Sequence, residues 1–93
     1  MRRRARVDAN HKAVTAALRD CGWHVHDTSR LGGGFPDMVI AKAGRLLMVE
    51  VKDGTKPPSA QALTEAEEDV RWHFYRKGVH VQVVTSIEQA VAL

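Results

Sequence analysis

Apolar residues first recur at helical spacing from about Asp8 to Asp20, where Val14, Ala17, Leu18 and Cys21 form one stripe and Gly22 stands ready to end the helix. Asp8 is the expected N-cap of this helix. From Trp23 to Thr28 the pattern changes to alternation, with Trp23, Val25 and Asp27 on one side and His24, His26 and Thr28 on the other, which predicts a strand. Met38 to Ile40, and Leu46 to Val49 with Val51, are apolar without alternation and include several β-branched residues, as expected of strands covered on both faces. A turn at Ala43-Gly44 joins them.

Beyond them, Thr64-Glu65-Ala66-Glu67 is a capping-box pattern opening a long helix that ends with Arg76, Lys77 and Gly78. Ala66, Val70 and Phe74 make its packing stripe, while Trp72, His73 and Tyr75 lie off it. The acids Glu65, Glu67, Glu68 and Asp69 are explained by the positive end of the helix dipole rather than by a metal. Val79 to Thr85 is a valine-rich last strand, and Ser86 with Gln89 starts a short terminal helix carrying Ile87, Ala90 and Val91. A long helix before the last strand implies a crossover connection. The expectation is therefore one α+β domain over residues 1–93, ordered α-β-β-β-α-β-α, with a mixed central sheet of about four strands flanked by helices.

Two connections stand out. Ser29 to Gly34 ends in Gly32-Gly33-Gly34, which permits close backbone approach to something bulky, and lacks the Gly-Lys-Ser/Thr of a phosphate-binding P-loop. Its position before Asp37 suggests a DNA-backbone contact through Gly33 and Gly34, with Arg30 as a phosphate ligand. Asp53 to Ser59 is a turn followed by a stiff Pro-Pro segment, with Lys56 facing solvent or phosphate.

At 93 residues and 44% hydrophobic content, the chain has one thin core that a second copy would help to stabilise. A net charge of +3, with Arg2, Arg3, Arg4 and Arg6 in a flexible basic arm over residues 1–6, favours a polyanionic partner. The arm reads equally as a solubilising terminus. A single cysteine, Cys21, excludes an internal disulfide and a multi-cysteine zinc site. No apolar run reaches membrane-spanning length and no secretory segment is visible, so a cytoplasmic protein without membrane association is expected.

The hairpin carries the chemistry. A tight turn at Ala43-Gly44 places Lys42 opposite Arg45 and hence Asp37 opposite Glu50, whereas a three-residue loop with a bulge would shift the pairing by one; the period of two puts Lys52 on the same face as Glu50. Two carboxylates and one ammonium then converge, and opposed like charges destabilise a sheet unless a cation relieves them. Oxygen-only ligands suit Mg²⁺ or Mn²⁺, with the Val51 backbone carbonyl as a further ligand, and Lys52 would orient or deprotonate water and stabilise developing charge. This is the apparatus of metal-assisted phosphodiester hydrolysis.

Pro36-Asp37 followed by Glu50-Val51-Lys52 resembles the signature of the PD-(D/E)XK nuclease superfamily, and the Gly-rich approach to Pro-Asp makes the chain most similar to compact stand-alone VRR-NUC nucleases. The resemblance covers roughly residues 10 to 85. It implies a Mg²⁺-dependent endodeoxyribonuclease with Asp37, Glu50 and Lys52 as catalytic residues, acting as a homodimer on branched DNA such as four-way junctions, without an organic cofactor. Related nucleases often place a glutamate on the first helix near the metal. Here the counterpart by position is Asn10, which could ligate through its oxygen, orient a water, or simply cap the helix, and Asp8 could take the acid's place if the helix starts earlier.

Two other readings stand beside this one. The domain could keep the nuclease fold and only bind nucleic acid, for which the amide at Asn10 is the best support. Alternatively, His24 and His26, spaced to share an ion on one strand, could mark a metal-binding regulator, although no third nearby ligand completes a zinc set.

Overall fold

The computed structural model describes residues 10–93. Along them run α1 (His11–Asp20), β1 (His24–Asp27), β2 (Met38–Lys42), β3 (Arg45–Val51), α2 (Pro58–Gln61), α3 (Glu65–Arg76), β4 (Val81–Val84) and α4 (Ile87–Val91). The strands form one mixed sheet in the order β1-β2-β3-β4, antiparallel except for the parallel β3–β4 pair. This is the expected α+β fold; α2 adds a single turn where Pro57-Pro58 stiffens the connection. The expected capping residue Asp8 lies outside the described residues. Asn10 occupies the N-cap position of α1 and makes no side-chain cap hydrogen bond.

The register of the hairpin fixes the site. Lys42 pairs with Arg45 and Met38 with Val49, so the ladder runs on toward Asp37 opposite Glu50. The turn is made by Ala43 at φ 52° and Gly44 at φ 78°. Left-handed geometry at both central residues is what a two-residue hairpin of right-handed twist requires. Ala43 bears a steric cost of roughly 1–2 kcal/mol for it.

Each face of the sheet is covered differently. Val25, Met38, Ile40, Val49, Val51 and Val84 point to one side, where they bury Val14 and Leu18 of α1 and Ala90 of α4. Each such aliphatic side chain contributes about 1.5–3 kcal/mol on removal from water. Met48, Glu50 and Val81 alternate onto the opposite side, toward α3. That helix is lightly packed: Val70 and Phe74 are half-buried, Ala66 is exposed, and none of its residues is fully buried.

Two contacts set where α3 lies. The rings of Phe35 and Phe74 meet edge to face at 6.2 Å. Gly34, at φ +85°, packs so closely under the first turn of α3 that a Cβ there would come within 2.3 Å of the Ala66 carbonyl oxygen. The close approach for which this glycine is needed is thus made to α3 itself.

Candidate active site

Asp37 precedes β2 and reaches across the hairpin, where its Oδ2 accepts a hydrogen bond from the Val51 N–H at 2.7 Å. Glu50 is 4% exposed and Lys52, just past the end of β3, is 8% exposed. The Lys52 peptide is held from two sides. Its N–H donates to the Val84 carbonyl at 2.9 Å, and its carbonyl accepts from Asn10 Nδ2 at 2.9 Å. Asn10 Nδ2 also reaches the Thr85 carbonyl at 3.3 Å, while its Oδ1 is buried with no partner among the described residues. Asn10 therefore ties α1 to the backbone of the site.

Glu67, expected from its place in the first turn of α3 to serve the helix dipole, has a second role in the structure. Glu67 does complete the capping box of α3, its Oε1 accepting from the Thr64 N–H at 2.9 Å while Thr64 Oγ1 accepts from the Glu67 N–H at 3.2 Å. The same Oε1 accepts from Lys52 Nζ at 2.9 Å. Glu50 Oε2 lies 3.7 Å from that ammonium. A third carboxyl group thus joins Asp37 and Glu50.

Three neighbouring carboxyl groups, two of them beside the Lys52 ammonium, cannot all ionise cheaply away from water. Burial, the Asp37 charge and the neighbouring Glu67 push Glu50 up to about 9, against the pull of Lys52. Burial also raises Asp37, although the Val51 N–H and the charge of His11 work the other way. For Glu67, burial acts upward but is outweighed by the hydrogen bonds from Lys52 and Thr64, so its pKa is lowered. Glu50 accordingly holds a proton at neutral pH, within hydrogen-bonding reach of both other carboxyl groups.

His11, a residue not singled out in the sequence, occupies the first position of α1 with only 8% exposure. Its Nε2 lies 3.4 Å from Asp27 Oδ2, and neither ring nitrogen makes a hydrogen bond among the described residues. Asp27 is itself steadied by the Ser29 hydroxyl at 2.6 Å and the Ser29 N–H at 2.8 Å, which lower its pKa. No local signal marks His11, because a polar residue at a helix start looks like a solvated one.

The remaining sequence candidates lie at the surface or outside the described residues. Arg30, Gly33 and Lys56 are exposed, as are His24 and His26. Arg2, Arg3, Arg4 and Arg6 lie outside the described residues. Among the described residues, no three His, Cys, Asp or Glu side chains are arranged to hold a metal ion by themselves. The described helices include none long and apolar enough to cross a membrane.

No family profile matches the chain, and neither does any curated protein. A solved structure described as a VRR_NUC domain is similar to it, at 27% identity and a TM-score of 0.66, covering 88% of this chain and 86% of the other. This similarity supports a nuclease domain of a kind consistent with the PD-(D/E)XK superfamily. More narrowly, it is VRR-NUC-like.

Proposed function

We propose that the chain is a metal-dependent endonuclease that hydrolyses DNA phosphodiester bonds, with Asp37 and Glu50 as ligands for Mg²⁺ or Mn²⁺. The observation that carries this reading is the burial of Glu50 beside Asp37 and Glu67, neighbouring carboxyl groups whose repulsion away from water a divalent cation would relieve. The donor chemistry fits a small hard cation. Mg²⁺ is commonly held by one or two carboxylates, its other positions going to water and substrate phosphate, so a complete cage of protein ligands is not needed. The Val51 carbonyl and Asn10 are further candidate oxygen ligands.

When bound, the ion supplies Lewis acidity at a phosphate oxygen and neutralises developing negative charge. The chain's own groups do the rest. Lys52 places its ammonium beside the carboxyl groups, where it orients or activates the attacking water and stabilises charge at the phosphorus. Glu67 fixes the direction of that ammonium through the 2.9 Å bond. Arg30 and Lys56 serve as phosphate contacts with the basic arm, whose effect on binding weakens with added salt. Branched DNA as substrate and a homodimer as the acting form complete the proposal.

Purified protein incubated with labelled four-way junctions, flaps, nicked duplexes and linear duplexes in Mg²⁺, Mn²⁺ or Ca²⁺ tests it. The expected result is cleavage in Mg²⁺ or Mn²⁺, strongest on branched DNA. Binding of DNA without cleavage in either ion would instead make the domain a nucleic-acid-binding module.

A further inference from the structure

α3 leaves the candidate active site at Glu67 and carries, further along the same helix, two large aromatic side chains that the core does not use. Trp72 and Tyr75 are each 55% exposed. Their rings are stacked at 6.1 Å with 25° between planes, and His80 meets the Tyr75 ring edge-on at 5.3 Å. Together with Glu68 and Arg71 they line a groove of about 360 Å³. The rings are thus braced by each other and by His80, yet open to solvent.

We propose that this groove is a stacking site for unpaired bases of a DNA strand that passes through the active site. The inference rests on the nuclease reading for its choice of ligand, but on separate residues.

Charge supports the choice. Beyond the lining residue Arg71, the C-terminal end of α3 adds the cations Arg76 and Lys77, while the acids Glu65, Glu67 and Asp69 sit in its first half, Asp69 beside His73 at 3.7 Å. Glu68, the acid at the groove, is paired with Arg71 at 3.5 Å. Aromatic faces flanked by cations suit a single strand, because every base offers a π-face to stack and every nucleotide a phosphate to neutralise. A fully paired duplex has its bases stacked on one another and offers none to these rings.

Distance supports it as well. Eight residues of helix separate Glu67 from Tyr75, which is about 12 Å at the α-helical rise. That is roughly three or four nucleotides at the spacing of stacked DNA. The site would therefore read whether the strand is unpaired a few nucleotides from the bond to be cut, which favours forks, flaps and junctions with frayed arms over intact duplex.

The test uses the full chain in EDTA, so that binding is read without cleavage. Fluorescein-labelled duplex with a single-stranded tail, the same duplex with blunt ends, and an oligothymidylate are titrated with wild type, Trp72→Ala, Tyr75→Ala and Trp72→Phe. Each alanine variant is expected to weaken tailed and single-stranded binding by about tenfold. Blunt-duplex binding should stay within about twofold of wild type, and Trp72→Phe should recover most of the loss. Tryptophan emission should be quenched by oligothymidylate through Trp72, since Trp23 is only 4% exposed.

Equal losses on blunt and tailed DNA, or unquenched emission, would overturn the proposal. So would a concentration-dependent blue shift of Trp72 emission without DNA, which would assign the face to a second copy of the chain. Absence of cleavage in Mg²⁺ or Mn²⁺ with the stacking results intact would remove the nuclease reading and leave this site standing.

Discussion

Lys52 and Glu67, separated by 15 positions along the chain, meet at 2.9 Å between Nζ and Oε1. One end of that contact belongs to the hairpin with the Asp37–Glu50 pair, and the other to the first turn of α3, the helix on the face of the sheet to which Glu50 points. It makes helix position part of the site. Because Glu67 Oε1 also accepts from the Thr64 N–H, the residue that starts α3 is the one that holds the lysine.

Replacing Glu67 separates these two roles. Glutamine keeps an acceptor for the Thr64 N–H and for Lys52, so Glu67→Gln should melt within about 1 kcal/mol of wild type, whereas Glu67→Ala loses the cap and should cost roughly 1–3 kcal/mol. Losing the carboxylate also lowers the Glu50 pKa. If Glu67 orients the lysine through its charge, Glu67→Gln slows single-turnover cleavage by about tenfold or more. Wild-type rates in that variant would reduce Glu67 to a helix cap.

Stability without metal should depend on pH with an unusual sign. The folded-state pKa of Glu50 is raised from 4.5 to about 9, so the folded protein binds this proton more tightly than the unfolded chain does. Its contribution is complete below about 4.5 and is lost as pH rises toward about 9. Asp37, also raised, acts in the same direction. Glu67 is lowered and acts oppositely, but only as pH falls below its unfolded pKa of about 4.5. Chemical denaturation in EDTA at pH 6 and pH 9 should show a loss of a few kcal/mol at the higher pH, and the loss should shrink in Glu50→Gln.

Divalent cations should reverse that loss. An ion that binds only the folded protein stabilises it by about 2.7 kcal/mol at a hundredfold excess over Kd. Thermal melts at pH 8 with and without millimolar Mg²⁺ or Mn²⁺, in the presence of DNA, measure it. Asp37→Asn should raise metal-free stability, because the amide oxygen can still accept from the Val51 N–H while one carboxylate is gone. It should also lose the response to metal. Melts indifferent to both ions would remove the metal from the account.

Two neighbouring glycines offer an internal control on how α3 is placed. Gly33, at φ +65°, has nothing within 4 Å of where a Cβ would stand, so Gly33→Ala should cost only the backbone strain of about 1 kcal/mol. At Gly34 the added carbon would collide with the Ala66 carbonyl oxygen at 2.3 Å. Gly34→Ala should therefore cost about 2–4 kcal/mol and move Glu67 away from Lys52, lowering cleavage as well as stability. Denaturant midpoints for the two variants, measured side by side, check the difference.

Why some of this could be read from the residues and some could not follows from the range of the interactions. The hairpin was legible because its turn is short and its apolar runs end together, and that register alone sets Asp37 toward Glu50. The strands, their mixed order and the two long helices were legible for the same reason, since periodicity and caps are local. Glu67 was not. Its capping role explains it completely within α3, and only the docking of Gly34 under Ala66 and of Phe35 against Phe74 carries it to Lys52. His11 escaped notice because nothing within its own helix shows that it faces Asp27.

The central claim is that the hairpin's carboxylates bind while its lysine acts, and Lys52→Ala divides the two. Single-turnover cleavage of a labelled junction at saturating protein in Mg²⁺, paired with DNA binding in Ca²⁺, is the measurement. The expected result is a rate lower by about 10² to 10⁴, with binding within a fewfold of wild type and little rescue by Lys52→Arg, whose guanidinium is too broad for the space of an ammonium. Cleavage by Lys52→Ala at near wild-type rate would contradict the account and leave the buried cluster a structural or binding feature.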